Sequence, residues 1–303
     1  MRPAEPLLIR AATRGSPLAL WQTHHVAALL RAVDPSIEVE PVVVTTTADR
    51  RQDVPIAEMG GKGVFVKEVQ AAVLDGRADI AVHSAKDLPS ATHPDLVISA
   101  IPERGDPRDA LVGCTLADLR PESHVATGSQ RRQAQLAHLR PGMRFSHLRG
   151  SIATRLDKAA GFDAIVVANA ALDRLGIPER ASEVLDVDVM IPQVGQGALA
   201  VESRLDAVDV SDVLASIDHG PSRRVLEAER AFLAELGGDC DLPAGAHATV
   251  SDDVVRVDAM IGSIDGMVLL RERVEARDGV AAARSAARRL LDDRGGAGLL
   301  DDR

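Results

Sequence analysis

Short apolar runs alternate with amphipathic stretches through the first two-thirds of the chain. The apolar runs predict buried strands at residues 6–13, 38–45, 78–83, 124–126, 144–148 and 163–168. Helical spacing of the apolar positions between them predicts helices at residues 16–33, 63–74, 130–139 and 152–160. Strands that alternate with helices indicate an α/β architecture with mainly parallel sheets.

The last third follows a different pattern. Three consecutive strands, joined by turns at SDD and SIDG, are predicted at residues 247–251, 254–261 and 267–275. A helix follows at about residues 280–291. Residues 101–109 and 192–202 are rich in Pro or Gly and are predicted to be crossings. The pattern therefore predicts two α/β lobes joined by a double hinge, and a small α+β C-terminal domain with a three-stranded antiparallel sheet.

Composition narrows the class of protein. The chain has 303 residues, of which 46% are hydrophobic, and it has neither an apolar run of membrane-spanning length nor a secretory signal. We therefore expect a cytoplasmic protein that does not enter a membrane. Two cysteines cannot form a disulfide scaffold, and no Cys/His cluster has zinc spacing, so no metal is expected. A formal net charge of -10 and the absence of Tyr argue against nucleic-acid binding.

One block of this acidic chain is basic. Residues 123–156 contain no Asp or Glu but carry six arginines: Arg131, Arg132, Arg140, Arg144, Arg149 and Arg155. Two predicted strand-to-helix joints lie in this block and a third lies near the N-terminus, and their predicted N-caps are Ser16, Ser129 and Ser151. Helix N-termini favour anions, and Arg binds carboxylates in a bidentate manner. The block predicts a site for several carboxylates, although a solvated basic helix face also fits the composition.

Two further segments carry candidate chemistry. The apolar run at residues 78–83 leads into Lys86 and Asp87, and ligands of open α/β sheets bind beyond the carboxyl ends of strands. Asp87 is a candidate to transfer a proton or to stabilise a developing cation, with a charged turn closed by Pro89 as the alternative. Residues 60–65 predict a flexible loop, in which Lys62 and Phe65 are candidate contacts, or a plain turn.

Cys240 lies in the sequence GGDCDLPAG, after a predicted helix. Glycines and a proline around a cysteine favour an exposed loop, where a thiol is a candidate nucleophile or attachment point. From the residues alone, an inert thiol is the more economical interpretation. Cys114 follows the apolar run DALV and is predicted to be structural.

Taken together, these segments resemble the porphobilinogen deaminase family, also called hydroxymethylbilane synthase. The matching motifs, in chain order, are ATRGSPLALWQ, GGKGVFVKEV, ADIAVHSAKDLP, ERGDPRDALV, SQRRQAQL, LRGSIATRL, VGQGALAVE and the Cys240 loop. The resemblance implies an enzyme that joins four porphobilinogen molecules head to tail with loss of ammonia. It also implies a monomer with two lobes like type II periplasmic binding proteins, and a third domain that carries the cysteine. We expect domain 1 at residues 1–101 and 197–216, domain 2 at 107–191 and domain 3 at 221–303.

The resemblance also implies roles for individual residues. A dipyrromethane cofactor would be attached to Cys240 through a thioether, and Asp87 would contact pyrrole N–H groups and assist loss of the amino group. Cofactor carboxylates would be held by Lys86, Ser129, Arg131 and Arg132. Incoming substrate would face Arg14, Ser16, Arg149 and Arg155, and Arg174 would serve the cofactor or the substrate.

Three positions depart from the family pattern. Glu58 stands where many members have Lys, Gly128 replaces a frequent Ser, and Asp239 precedes Cys240 where Gly is common. A carboxylate next to Cys240 is expected to disfavour the thiolate. Two other classes of protein remain alternatives. A non-catalytic two-lobed binding protein for small carboxylates would give Asp87 and Cys240 no role, and a nucleic-acid binder would conflict with the acidic remainder of the chain.

Overall fold

A computed structural model of the protein describes residues 7–46, 66–237 and 242–301. The strands in these ranges are β1 (Leu7–Arg14), β2 (Ile37–Val44), β3 (Ile80–Ser84), β4 (Leu96–Ala100), β5 (Asp109–Val112), β6 (His124–Ala126), β7 (Arg144–Ser146), β8 (Ala164–Ala168), β9 (Glu183–Leu185), β10 (Leu199–Arg204), β11 (Ala244–Ser251), β12 (Val254–Gly262) and β13 (Leu269–Ala276). The α-helices are α1 (Pro17–Val33), α2 (Lys67–Leu74), α3 (Gln130–Leu139), α4 (Ile152–Lys158), α5 (Asn169–Arg174), α6 (Val208–Ala215), α7 (Gly220–Glu235), α8 (Gly279–Arg288) and α9 (Gly298–Asp301).

The chain divides into two compact units, of which the first comprises Met1–Arg104 and Ala198–Arg223. Its sheet has the strand order β2-β1-β3-β10-β4. The neighbours β2, β1 and β3 are parallel, whereas β10 runs antiparallel to both β3 and β4. Apolar side chains on both faces are buried in separate clusters, one around Ile9, Leu30 and Val201 and the other around Val69 and Val73. The sheet is thus covered on both sides, as α/β sheets require.

The second unit comprises Gly105–Gly197 and Arg224–Arg303 and contains two sheets. The larger has the order β7-β6-β8-β5-β9, with β7, β6 and β8 parallel and β5 antiparallel to both of its neighbours. Strands β11, β12 and β13 form the smaller antiparallel sheet, covered by the alanine-rich face of α8. The hairpin between β11 and β12 turns at Asp252 and Asp253, whose φ angles are 48° and 65°. Two residues with positive φ fit a tight two-residue hairpin.

The α/β class and the three-stranded C-terminal sheet are confirmed, but the expectation of mainly parallel sheets is wrong. Two of the four ladders in each five-stranded sheet are antiparallel. The reason is that β5 and β10 each enter the middle of a sheet from the opposite direction. β5 begins at the last residue of the first predicted crossing, whereas β10 begins within the second, so residues 199–202 are strand and not crossing. Both crossings meet in the second unit, where Gly105 N donates to Gly197 O at 3.1 Å. The three-domain division stays a prediction.

Candidate active site

A cavity in the first unit lies at the carboxyl edge of the parallel strands. Its lining includes three of the predicted site residues, Arg14, Ser16 and Asp87. Arg14 ends β1, and Asp87 follows β3. Because β1 and β3 are parallel neighbours, their carboxyl ends meet at one edge. The sheet therefore places a guanidinium and a carboxylate, 73 residues apart in the sequence, around one space.

Local structure fixes both sides of this cavity. Ser16 caps α1, and its Oγ accepts a hydrogen bond from Ala19 N at 3.3 Å, with Pro17 as the first helical residue. Asp87 ends a single turn of 3₁₀ helix that spans Ala85–Asp87. Ala85 N donates to Ala198 O on one side, and buried Leu88 anchors the other. Asp87 and the neighbouring Lys86 are half-buried, so both are held near the cavity edge rather than in the core.

Three polar residues of the cavity wall, Gln22, His83 and Ser84, were not predicted as site residues. Gln22 is buried and its Nε2 donates to Ser84 Oγ at 2.7 Å. His83 is 4% exposed, and its Nε2 lies 3.0 Å from Oε2 of Glu202. The sequence contained a signal for His83, since a polar residue ends an apolar run just before Lys86 and Asp87. Nothing in the sequence indicated its partner on β10.

The second unit buries Arg131 and Arg132 instead of exposing them as a basic helix face. Their side chains are 2% and 7% exposed, and both contact Asp109, which is fully buried on β5. Arg131 Nη2 donates to Oδ2 at 2.8 Å, and Arg132 Nε donates to Oδ1 at 2.9 Å. Backbone carbonyl oxygens of Ile191 and Val166 accept further hydrogen bonds from the pair. We call these three residues the Asp109 cluster.

Electrostatics in the Asp109 cluster favour a permanent charge. Burial alone would raise the pKa of Asp109, but the two guanidiniums outweigh it and lower that pKa to about 2. Burial lowers the pKa of Arg131, and Asp109 opposes that shift. Two guanidiniums face one carboxylate within the cluster. Its formal charge is therefore positive, and this fits a neighbouring anion.

The other predicted arginines lie in segments that follow the parallel strands of the larger sheet. Strands β7, β6 and β8 are parallel, so the segments that follow them begin at one edge. Ser129 follows β6 and caps α3, Arg149 and Arg155 follow β7, and Arg174 ends α5, which directly follows β8. Arg149 and Arg155 are half-buried. The topology thus places at one sheet edge the starts of segments whose predicted site residues are up to 45 residues apart in the sequence.

Two of these arginines have defined surroundings. Arg155 Nε donates to Gly150 O at 2.9 Å. Arg174 Nη2 donates to Gly197 O at 2.6 Å, and burial lowers its pKa to about 10, although Asp173 opposes that shift. A guanidinium that has lost hydration is a strong donor to a carboxylate. The donor set along this edge therefore fits a ligand that carries several carboxylates, such as a dipyrromethane with its acetate and propionate groups.

Several predicted positions cannot be placed. Lys62, Phe65 and Cys240 lie outside the described residues, as do Glu58 and Asp239.

No helix in the described ranges is long and apolar enough to span a membrane. Gly128 is described, and a Cβ built there would lie 3.0 Å from Leu148 O. A serine at this position would require a small backbone shift.

The sheets, their guanidinium groups and the Asp87 cavity define a class, an α/β protein equipped to bind a ligand with several carboxylates. Comparisons with known proteins give the family. Residues 9–212 match the family model "Porphobilinogen deaminase, dipyromethane cofactor binding domain". Residues 224–292 match the model "Porphobilinogen deaminase, C-terminal domain". The chain belongs to the porphobilinogen deaminase family.

Curated relatives agree over nearly the whole chain. The porphobilinogen deaminase of Roseiflexus sp. strain RS-1 is 46% identical over 294 residues, 95% of this chain and 97% of the relative. That of Nitratidesulfovibrio vulgaris strain Miyazaki F is 44% identical over 280 residues, 89% and 88% of the two chains. Among solved structures, the periplasmic VFT2 domain of Bordetella pertussis BvgS has a TM-score of 0.39 at 16% identity and covers 70% of this chain and 87% of its own. Structural similarity at that level does not bear on function.

The family assignment settles two predictions. The chain is an enzyme of tetrapyrrole biosynthesis, so the reading as a non-catalytic binding protein for small carboxylates is not favoured. The cofactor-binding model that matches residues 9–212 supports a dipyrromethane cofactor. The individual residues that bind cofactor or substrate stay predictions.

Proposed function

We propose that this chain joins four porphobilinogen molecules head to tail, with release of four ammonia molecules, on a dipyrromethane primer held by Cys240. The observation that carries the proposal is the cavity that brings Asp87 and Arg14 together at one sheet edge. The product is hydroxymethylbilane. We further propose a cytoplasmic monomer of three domains, as the family resemblance implies, and sedimentation of the purified protein would test the oligomeric state.

Asp87 is suited to the step in which ammonia leaves. Breaking the C–N bond of an aminomethylpyrrole leaves positive charge spread over the ring. A carboxylate fixed near the ring nitrogen stabilises that charge as it develops, and a half-buried carboxylate does so more strongly than one in bulk water. Asp87 is held by a turn anchored at Ala85 and Leu88, so it needs little reorganisation during the reaction.

Cationic groups would position the carboxylates of substrate and cofactor. In the first unit, Arg14 and Ser16 line the Asp87 cavity and would bind the carboxylates of incoming porphobilinogen there. Arg149 and Arg155 of the second unit are likewise proposed to bind substrate carboxylates. Of the residues proposed to hold cofactor carboxylates, Lys86 belongs to the first unit, whereas Ser129, Arg131, Arg132 and Arg174 belong to the second. Because each pyrrole brings two carboxylates, a growing chain needs several separate cations, and the set supplies them. When bound, the cofactor provides the pyrrole carbon to which substrate is joined.

The attachment of the cofactor is tested by intact mass. Protein from a host that makes porphobilinogen should carry an adduct of two pyrrole units, and Cys240→Ser should carry none. Cys114→Ser is the matched control, because burial and the nearby carboxylates of Asp118, Asp163 and Glu183 raise the pKa of Cys114 and make its thiol a poor nucleophile. This variant should keep the adduct. A folded wild type without adduct would overturn the proposal.

The role of Asp87 is tested on the same protein. Asp87→Ala should retain the two-pyrrole adduct by mass but should lose nearly all ammonia release, by about 10²–10³-fold in kcat. Retention of the adduct shows that the cofactor site has formed. Ammonia release at the wild-type rate would remove Asp87 from the reaction.

A further inference from the structure

Three buried polar side chains, Gln70, Glu202 and His83, lie in contact behind the Asp87 cavity and have no part in the function proposed above. Glu202 of β10 is fully buried, and Gln70 of α2 donates to both of its carboxylate oxygens, at 3.2 and 2.9 Å. Nε2 of His83 lies 3.0 Å from the same carboxylate. His83 also lines the cavity together with Asp87 and Arg14. These three side chains therefore connect the core with the wall of the cavity.

A buried carboxylate is costly to maintain unless it serves a partner. Here the amide of Gln70 donates to both oxygens of Glu202, and the His83 imidazole lies beside one of them. The His83 nitrogen is buried next to Glu202 but off hydrogen-bond geometry. Buried nitrogens without a hydrogen bond are uncommon, and catalytic hydrogen bonds are often poorly aligned until substrate is bound.

We propose that His83 is the proton-transfer residue of the Asp87 cavity and that Glu202 and Gln70 position it. Since Nε2 faces Glu202, Nδ1 is the ring nitrogen that remains for the cavity. With the proton on Nε2, Nδ1 is the basic atom. A carboxylate behind a histidine fixes its tautomer and stabilises the imidazolium that forms when the ring accepts a proton.

The chemistry requires a proton acceptor other than Asp87. In each joining step the aminomethyl group reacts in its protonated form, –CH2–NH3+, so its C–N bond breaks and neutral ammonia leaves with the bonding pair. The attacking pyrrole carbon forms the new C–C bond. The C–H bond of that carbon then breaks, its electrons return to the ring, and one proton must leave. Asp87 has to stay ionised to face the positive ring. Neutral His83 would accept the proton at Nδ1 and pass it to ammonia or to water.

The inference rests on the proposed function, and isotope effects test it separately. His83→Gln, purified with its cofactor, should lower kcat about 10²-fold with little change in KM. Glu202→Gln should lower kcat by about 10-fold, because it acts only through His83. Porphobilinogen deuterated at its free α-carbon should show a larger kinetic isotope effect with either variant than with wild type, since loss of that proton becomes slower. Added imidazole should restore part of the activity of His83→Ala.

His247→Gln is the matched control. His247 is also buried beside a buried carboxylate, with Nδ1 3.6 Å from Glu229, but it belongs to the second unit and is not part of the cavity wall. Its variant should keep the wild-type isotope effect. If His83→Gln and Glu202→Gln are slow but keep the wild-type isotope effect, and imidazole has no effect, His83 is only structural and the inference is wrong. A wild type that carries no adduct and makes no product would instead contradict the proposed function itself.

Discussion

Two antiparallel strands occupy matching positions in the two five-stranded sheets, and each carries a fully buried carboxylate. β10 lies between β3 and β4 and carries Glu202, whereas β5 lies between β8 and β9 and carries Asp109. Each acid borders an apolar run, since Asp109 precedes one and Glu202 ends another. Glu202 meets an imidazole and an amide, while Asp109 meets two guanidiniums. The same topological position thus serves two kinds of partner.

The difference lies in whether the partner can lose its charge. A guanidinium stays protonated in proteins, so Asp109 is ionised at any pH near neutral and its cluster is a fixed electrostatic frame. An imidazole has one ring nitrogen that can accept a proton while the other donates, so the Glu202 pair is able to take part in proton transfer. The first unit therefore contains a buried pair that is suited to proton transfer. The second contains a buried cluster whose positive charge is fixed.

The largest expected effect tests whether the Asp109 cluster is a structural frame. Asp109→Asn removes the only carboxylate of the cluster and leaves two buried guanidiniums without a counter-charge. Breaking a buried ion pair in this way should lower the free energy of unfolding by about 3–5 kcal/mol, measured by urea denaturation. Glu202→Gln is the matched comparison. It leaves no uncompensated guanidinium, so its loss should be about 1–2 kcal/mol. Equal losses would erase the distinction between the two strands.

Lowering the pH should remove the stabilisation that ionised Asp109 provides, with a smaller effect on the free energy of unfolding. The folded-state pKa of Asp109 is lowered from 3.8 to about 2, so its ionised form is favoured by the folded protein. Its contribution is therefore fully present above about pH 4 and is lost as the pH falls towards 2, and its size is about 2 kcal/mol. Unfolding free energies of wild type and Asp109→Asn, measured across this range, should differ by less at low pH. A constant difference would mean that Asp109 is not ionised in the cluster.

Much of the fold could be predicted because its signals are local. Apolar runs and N-cap serines at Ser16, Ser129 and Ser151 predicted the joints from which the site is built, and all three serines cap helices in the structure. Parallel neighbours bring strand ends together, so Arg14 and Asp87 share a cavity, as the position of Asp87 after a strand suggested. The caps depend on residues within one turn of each other, and the shared cavity follows from the general rule that parallel strands end at one edge.

The ion partners could not be predicted, because they depend on where a distant strand is inserted. Gln70 and Glu202 are 132 residues apart, and Asp109 reaches Arg131 from a strand on the far side of β8. A single acid at one end of an apolar run, as in DALV and LAVE, was the available signal. It indicates a buried carboxylate but not its partner. For that reason the acid-free arginine block gave no indication that two of its members meet an aspartate.

The smallest expected effect measures how tightly the frame is set at the start of α3, the helix that carries Arg131 and Arg132. A Cβ at Gly128 would contact Leu148 O at 3.0 Å, whereas one at Gly150, where φ is 117°, would lie 2.8 Å from the Thr154 side chain. Gly128→Ala also restricts the unfolded chain, which favours folding by about 0.4–1 kcal/mol and offsets part of the contact. Its net effect on unfolding should stay within about 1 kcal/mol, while Gly150→Ala should lose about 1–3 kcal/mol to backbone strain. Urea denaturation of both variants measures the two losses. A loss at Gly128 as large as that at Gly150 would mean that the Asp109 cluster holds the cap of α3 too rigidly to move by a few tenths of an ångström.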